Sequence, residues 1–378
     1  MPKRPQQALA ACVLAALMAP TALFAANFTL YGAIDEGFTY AHVKKGDDSF
    51  QMTAGNYAGS RFGLRGSETI SPGLSVNFIL EEGYAADSGA FSQPDCMFGR
   101  ESQVNLSGPW GTIGFGRVGG FTTGSTSLSW YWDMDPFDTG YIDAGMQATQ
   151  INVWRVNNNT AYYVTPTFAG AKAGVQWSLT GTGSQEATHF SDNDGWANAA
   201  IRWDGANARA IAGIEWERFG SKVSGTNTRP DDEYVVKAAL VWTPAGSPTS
   251  LYGGASWYRN SRRISDTTWD DDGRITYADA TGRGLDGTSV YFAAKYVAGS
   301  TDYLAQVQYL KGKNKGAEDG AEDDYSRWAA AVGLHHHLTK RTFLYAVATY
   351  ADGSGFLDDL EGSLTNRAQG HLGIFHRF

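Results

Sequence analysis

The chain has 378 residues, 46 of them glycine, and is 42% apolar, 13% aromatic and only 18% charged, against about a quarter charged in an ordinary soluble domain. Its aromatic content excludes a disordered chain, and a formal charge of −9 with an isoelectric point near 5.3 excludes the basic footprint of a nucleic-acid binder. Such a length suits either several soluble domains or one large barrel, so the period of the sequence has to decide.

The first 26 residues read as a secretory signal peptide: Lys3 and Arg4 open it, residues 8–19 are apolar, and small residues between Ala22 and Ala26 suit cleavage after Ala25 or Ala26. A lipoprotein signal around Cys12 is out of order, because most of the apolar run follows the cysteine. Cleavage leaves residues 27–378 as one unit, with Cys96 alone and no internal disulfide to form. After the leader no apolar run approaches the ~20 residues of a spanning helix.

What recurs instead is period two. Segments 28–40, 58–66, 74–84, 98–107, 110–118, 158–166, 171–179, 196–203, 208–217, 234–242, 251–258, 290–298, 303–310, 328–338, 343–350 and 367–378 read as sixteen strands, of which 98–107, 110–118, 158–166 and 367–378 alternate less regularly. In the seventh, Ala171, Ala173, Val175, Trp177 and Leu179 share one face, opposite Lys172, Gly174, Gln176 and Ser178. Short turns, as at 204–205 and 339–340, alternate with long polar segments, of which 119–157 is the longest. These features predict an all-β protein, a transmembrane 16-stranded antiparallel β-barrel with short periplasmic turns and long extracellular loops. One face of each strand meets lipid, the other faces a lumen too wide for side chains alone to fill. Tyr31, Tyr40, Trp177, Trp203, Trp242 and Trp257 are predicted in interfacial girdles.

The chain resembles the general trimeric porins of Gram-negative bacteria, in particular the betaproteobacterial branch. The likeness rests on Leu30-Tyr31-Gly32-Ala33-Ile34-Asp35, Ser60-Arg61-Phe62-Gly63-Leu64-Arg65-Gly66-Ser67-Glu68, Phe98-Gly99-Arg100, Gly114-Phe115-Gly116-Arg117, Arg155 with Asn158 to Pro166, Leu338 to Thr342, and the end Gly373-Ile374-Phe375-His376-Arg377-Phe378. Phe375 stands where the family commonly has a basic residue. The resemblance implies an outer-membrane homotrimer with its third long loop folded inward, passing ions and small hydrophilic solutes by passive diffusion without catalysis or cofactor. It further implies contact with outer-membrane lipid and lipopolysaccharide, and a terminal Phe378 read by the barrel-assembly machinery. Independently, Trp130, Tyr131, Trp132, Pro136 and Phe137 on the longest loop favour docking inside a pore over exposure.

By the same resemblance the pore constriction sets Arg61, Arg100 and Arg155 on the wall against Asp133, Asp135, Asp138 and Asp143 on the loop, with Arg65 and Arg117 as second choices. Opposed fixed charges across a narrow aperture favour ions and polar solutes. Parity sends Arg61 inward, opposite Phe62 and Leu64. It sends Arg100 outward with Val104 and Leu106 unless a bulge intervenes. Whether cations or anions are favoured is open at this stage.

Other motifs lack their context. The dinucleotide spacing of residues 282–287 lies in a polar loop without the flanking strand and helix. A strand sends the middle one of His335, His336 and His337 away from its neighbours, which disfavours a metal site. The acidic runs 270–272 and 318–324 read as solvated loops, with cation bridges to lipopolysaccharide phosphate as a weaker reading. A substrate-selective porin and a barrel hydrolase with a rim triad are the rival functions, and no nucleophile motif supports the second.

Overall fold

A computed structural model describes residues 27–378 except 45, 94–95, 124–125, 139, 182–192, 221–230, 262–282, 316–323, 356 and 358–365. The leader, Asp270 to Asp272 and residues 318–323 therefore lie outside the described residues. Seventeen strand segments follow in order: β1 (Asn27–Val43), β2 (Ser49–Ala54), β3 (Arg61–Ser71), β4 (Leu74–Gly83), β5 (Glu101–Gly108), β6 (Gly111–Gly119), β7 (Val156–Val164), β8 (Ala171–Ser178), β9 (Gly195–Asp204), β10 (Ala208–Arg218), β11 (Glu233–Trp242), β12 (Thr249–Ser261), β13 (Leu285–Ala298), β14 (Thr301–Asn314), β15 (Asp324–Thr339), β16 (Thr342–Gly355) and β17 (Arg367–Arg377).

Each segment from β3 onward pairs antiparallel with the next, and β17 returns to β1 in register from Ala33↔Arg377 to Val43↔Arg367. On its other edge β1 pairs with β3 between Asn27↔Ser67 and Ala33↔Arg61, then with β2 between Glu36↔Ala54 and Ala41↔Ser49. β2 and β3 are thus two pieces of one wall strand, interrupted at residues 55–60, so the seventeen segments make a closed barrel of sixteen. Closure leaves no unpaired edge, as a bilayer requires.

Alternation sorts the side chains. On β11, Tyr234, Val236, Leu240 and Trp242 point outward, while Glu233, Val235, Lys237, Ala239 and Val241 are buried on the lumen side. Val175, Phe292 and Val332 are more than half exposed on the outer wall, a surface stable against hydrocarbon rather than water.

Three sequence expectations change. The strand predicted from 58 begins at Arg61, because residues 55–60 leave the wall. Tyr31 belongs to the lumen and not to a girdle: its hydroxyl donates to Glu81 Oε2 at 2.9 Å. Leu285 to Gly287 of the dinucleotide spacing open β13 instead of lying in a loop. Other strands, such as β13 and β15, simply run longer than predicted.

Between β6 and β7 the chain folds into the barrel. Two three-residue 3-10 turns, Trp132–Met134 and Met146–Ala148, shape this stretch. Phe121, Tyr131, Met134, Phe137, Tyr141, Ile151 and Val153 on it are wholly buried against the wall, which explains why so aromatic a segment is stable away from strand structure.

Candidate functional site

The inward loop is pinned on one side and open on the other. The pinned side faces β9 to β17. There Asp143 sits between two arginines: Oδ1 accepts from Arg327 Nη2 at 2.6 Å and Oδ2 from Arg367 Nε at 2.5 Å, all three side chains at most 4% exposed. Burial would raise the Asp143 carboxyl, but Arg367 and Arg327 hold it below the usual carboxylate range. Asp135 accepts from Phe137 N at 2.7 Å and from Gln306 Nε2 at 3.0 Å. With no cation beside it, burial pushes Asp135 up to about 7. Lys237 on β11 donates to Thr122 O and pairs with Glu215 at 2.9 Å, and Asn152 bridges Glu215 and Glu233.

At the loop's tip the six-residue interruption of the second wall strand meets it. Asp35 Oδ2 accepts from the backbone of Tyr57 at 2.6 Å and Ala58 at 2.8 Å, turning residues 55–60 into the lumen. The Tyr57 hydroxyl donates to Asp138, and its ring is packed edge-on by His335, Phe343 and Phe375 at 5.0–5.3 Å. Asn56 O accepts from Tyr141 N at 2.5 Å. Gly140 permits this approach, since a Cβ there would overlap the Tyr57 carbonyl oxygen. Burial raises Asp138 to about 6 despite the Tyr57 hydrogen bond.

Arg155, at the loop's far root, is also buried. Its guanidinium forms a two-pronged pair with Glu217, both bonds 2.6 Å, lies over the Trp196 ring, and donates to Asn157 Oδ1. Arg155, Asp135 and Asp143 therefore line none of the open lumen beside Arg61 and Arg100.

The open side faces β1 and β3 to β5 across a cavity of about 630 Å³. Glu81 is its hub: Arg100 Nε lies 2.7 Å from Oε1, Arg61 Nε 3.8 Å from Oε2. Arg100 reaches inward because it and Glu101 both oppose Glu81, Glu101 in register and Arg100 through its N–H; this is the bulge its parity required. Across the gap, Asp133 accepts from Arg202 at 2.7 and 2.9 Å and lies 3.3 Å from Arg209 Nε. Glu101 ties the loop to the wall here through Ser127 N at 2.9 Å and Ser127 Oγ at 2.5 Å.

Six arginines, Arg61, Arg65, Arg100, Arg202, Arg341 and Arg377, border the cavity with three acids, Glu81, Glu101 and Asp133. Arg65, a second choice in the sequence, belongs there; Arg117 instead bonds Gly99 O and Asn158 Oδ1. Sequence reasoning missed Arg202, Arg341 and Arg377. For Arg202 the signal was present, since it lies between outward Ile201 and Trp203. The three consecutive histidines take separate partners: His335 meets the Tyr141 hydroxyl, His336 Thr301 and His337 Asp302. Among the described residues no group of three or more His, Cys, Asp or Glu is placed to hold a metal.

A closed sixteen-stranded barrel, apolar outside and narrowed inside by a charged loop, defines an outer-membrane channel. A sequence profile of the Gram-negative porins matches residues 8–355, and the chain belongs to that family, an outer-membrane diffusion channel and not an enzyme. It is 28% identical to an outer membrane porin protein of Bordetella pertussis over 99% of this chain and 100% of that one. Its fold is similar to the anion-selective porin from Comamonas acidovorans (TM-score 0.70, 20% identity, 93% of this chain and 100% of that one). It is also similar to the trimer form of OmpT from Vibrio cholerae (TM-score 0.59, 15% identity, 94% and 100%).

Proposed function

We propose that this porin is a general diffusion channel that favours small anions, with its constriction formed by Arg61, Arg100 and Arg202 around Glu81 and Asp133. The observation that carries the reading is the excess of six arginines over three acids around the open cavity, in a chain whose overall charge is −9. Fixed cations in a narrow aqueous passage with low-dielectric walls raise the local anion concentration and hinder cations. The anion selectivity named for the Comamonas relative supports the same direction. Arg155, Asp135, Asp138 and Asp143 then serve the aperture by fixing the loop that bounds it.

The reading includes a homotrimer, in keeping with the trimer form of the Vibrio OmpT, and removal of residues 1–26 on export. It includes recognition of Phe378 by the assembly machinery. That residue exchanges backbone hydrogen bonds with Gly32 at 3.1 and 3.2 Å, and its ring covers the glycine. Lipopolysaccharide is the expected lipid neighbour on the long-loop side. The test is the reversal potential of single channels in a potassium chloride gradient. Anion preference in the wild type that falls in Arg61→Ala supports the assignment, and cation preference in the wild type overturns it.

A further inference from the structure

Behind the inward loop, four buried polar atoms of the wall have no hydrogen-bond partner among the described residues: Arg367 Nη2, Gln369 Oε1 and His371 Nε2 on β17, and Thr349 Oγ1 on β16. Each of the four residues is at most 7% exposed. They share one patch, because alternation turns Arg367, Gln369 and His371 to the same lumen face of β17, and Thr349 is the cross-strand partner of Gln369. Small side chains frame it: Ala41 is the partner of Gln369 on β1, Ala331 that of Thr349 on β15, and Ala351 that of Arg367 on β16. A buried polar atom left unpaired costs stability, and four in one patch point to a common small ligand.

The charge and the donors of the patch decide the ligand. Asp143 is the one ion-pair partner of Arg367 among the described residues; it engages Nε and is shared with Arg327. One carboxylate thus serves two guanidiniums. The nearest acid on the neighbouring strand, Asp35, lies two inward positions beyond Thr39 on β1, and its carboxylate accepts from Tyr57 N, Ala58 N and the Tyr345 hydroxyl. All four residues can donate: Arg367 and Thr349 outright, Gln369 by turning its amide, and His371 through Nε2 when Nδ1 accepts from the Thr39 hydroxyl at 3.0 Å.

We propose that a small monovalent anion of chloride size binds here, between the loop and β16 and β17. It accepts from Arg367 Nη2, the Thr349 hydroxyl, the Gln369 amide and His371 Nε2, and so fastens the loop against the wall. A water would meet the hydrogen bonds and leave the buried cation short of counter-charge, whereas an anion supplies both. The same ion that the channel carries then also steadies the loop that bounds its aperture. The inference does not rest on the selectivity of the lumen, since the patch lies on the buried side of the loop.

The test uses the full-length porin in mild detergent, heated at one ionic strength in sodium bromide or in sodium gluconate, whose anion is too large for the patch. Bromide at about ten times its Kd is expected to raise the folded-to-unfolded ratio about tenfold over gluconate. Thr349→Val keeps the shape of the side chain and removes its donor. Loss of one hydrogen bond to a charged group weakens binding about tenfold, so the bromide effect should fall to about twofold. Neutralising the lumen with Arg61→Gln and Arg100→Gln should leave the effect intact, which separates this site from the constriction and from the selectivity reading. Bromide-soaked crystals of the wild type should show anomalous scattering within hydrogen-bond reach of Arg367 Nη2 and Thr349 Oγ1. Equal stability in bromide and gluconate, a water alone at that position, or an undiminished bromide effect in Thr349→Val overturns the proposal.

Discussion

Where the inward loop meets β14, β15 and β17, its carboxylates are buried and each is held by the wall: Asp143 by two arginines, Asp135 by Gln306 and its own backbone. Where the same loop borders the open cavity, its carboxylate Asp133 is 42% exposed beside Arg202 of β9, and Arg61 and Arg100 approach from the opposite wall to a shared Glu81. Both sides use arginine and carboxylate, yet they do different work. A desolvated pair fixes geometry and contributes little field to the lumen, while a pair bordering water leaves its excess charge to passing ions. The number of charged residues on a porin loop therefore says less about selectivity than which of them remain wet.

The largest effect is expected from breaking the pinned side. Asp143→Ala removes the carboxylate that Arg327 and Arg367 share in a buried site, a loss of about 3–5 kcal/mol; the heat-induced unfolding temperature in detergent should fall, and single-channel current should become noisy as the loop loosens. Tyr57→Phe removes the hydrogen bond to Asp138 but keeps the ring in its aromatic cage. The cost is about 1.5–3 kcal/mol, and current noise should rise while ion preference changes little.

On the open side, Arg202→Ala removes one lumen cation and leaves Asp133 to Arg209 alone, so anion preference should fall. A single charge at about 4 Å is worth roughly 1 kcal/mol in water and less at high salt, a shift of a few fold in the permeability ratio.

A pH titration gives the smallest effect and separates the two carboxyl types. Asp138 and Asp135 are raised by burial to about 6 and about 7. Their contribution to loop docking is full below the ordinary carboxylate range and lost as pH rises through those values. Asp143 is lowered, so its contribution is present above the ordinary range and lost only in stronger acid. Lowering pH from 8 to 5 should leave the loop docked. It should also lower current noise, with a midpoint near 6 that Asp138→Asn abolishes, while anion preference changes little.

Much of this was legible in the sequence. Period two located twelve of the sixteen wall strands, because a wall with lipid on one side and a polar lumen on the other imposes alternation, and less regular runs supplied the other four. It placed Arg61 inward and showed that Arg100 needed a bulge. Residues 58–60 mislead because Ala58 can continue an alternating strand; only the buried Asp35, on the neighbouring strand opposite the interruption, turns them inward. The division of Asp133 from Asp135 and Asp143 was illegible for a similar reason. All lie on one polar loop, and their exposure depends on which wall strand each meets across the barrel, a distance in space with no counterpart in spacing along the chain.

The most direct test compares two charge-neutralised channels in the same salt gradient, Arg61→Gln with Arg100→Gln on the open side and Arg155→Gln with Glu217→Gln on the buried side. The open-side double variant is expected to lose most of the anion preference, with its reversal potential moving toward zero, while the buried-side variant keeps the wild-type value. Equal shifts in both, or an unchanged potential in the Arg61 and Arg100 variant, would contradict the division between anchoring and selecting charges.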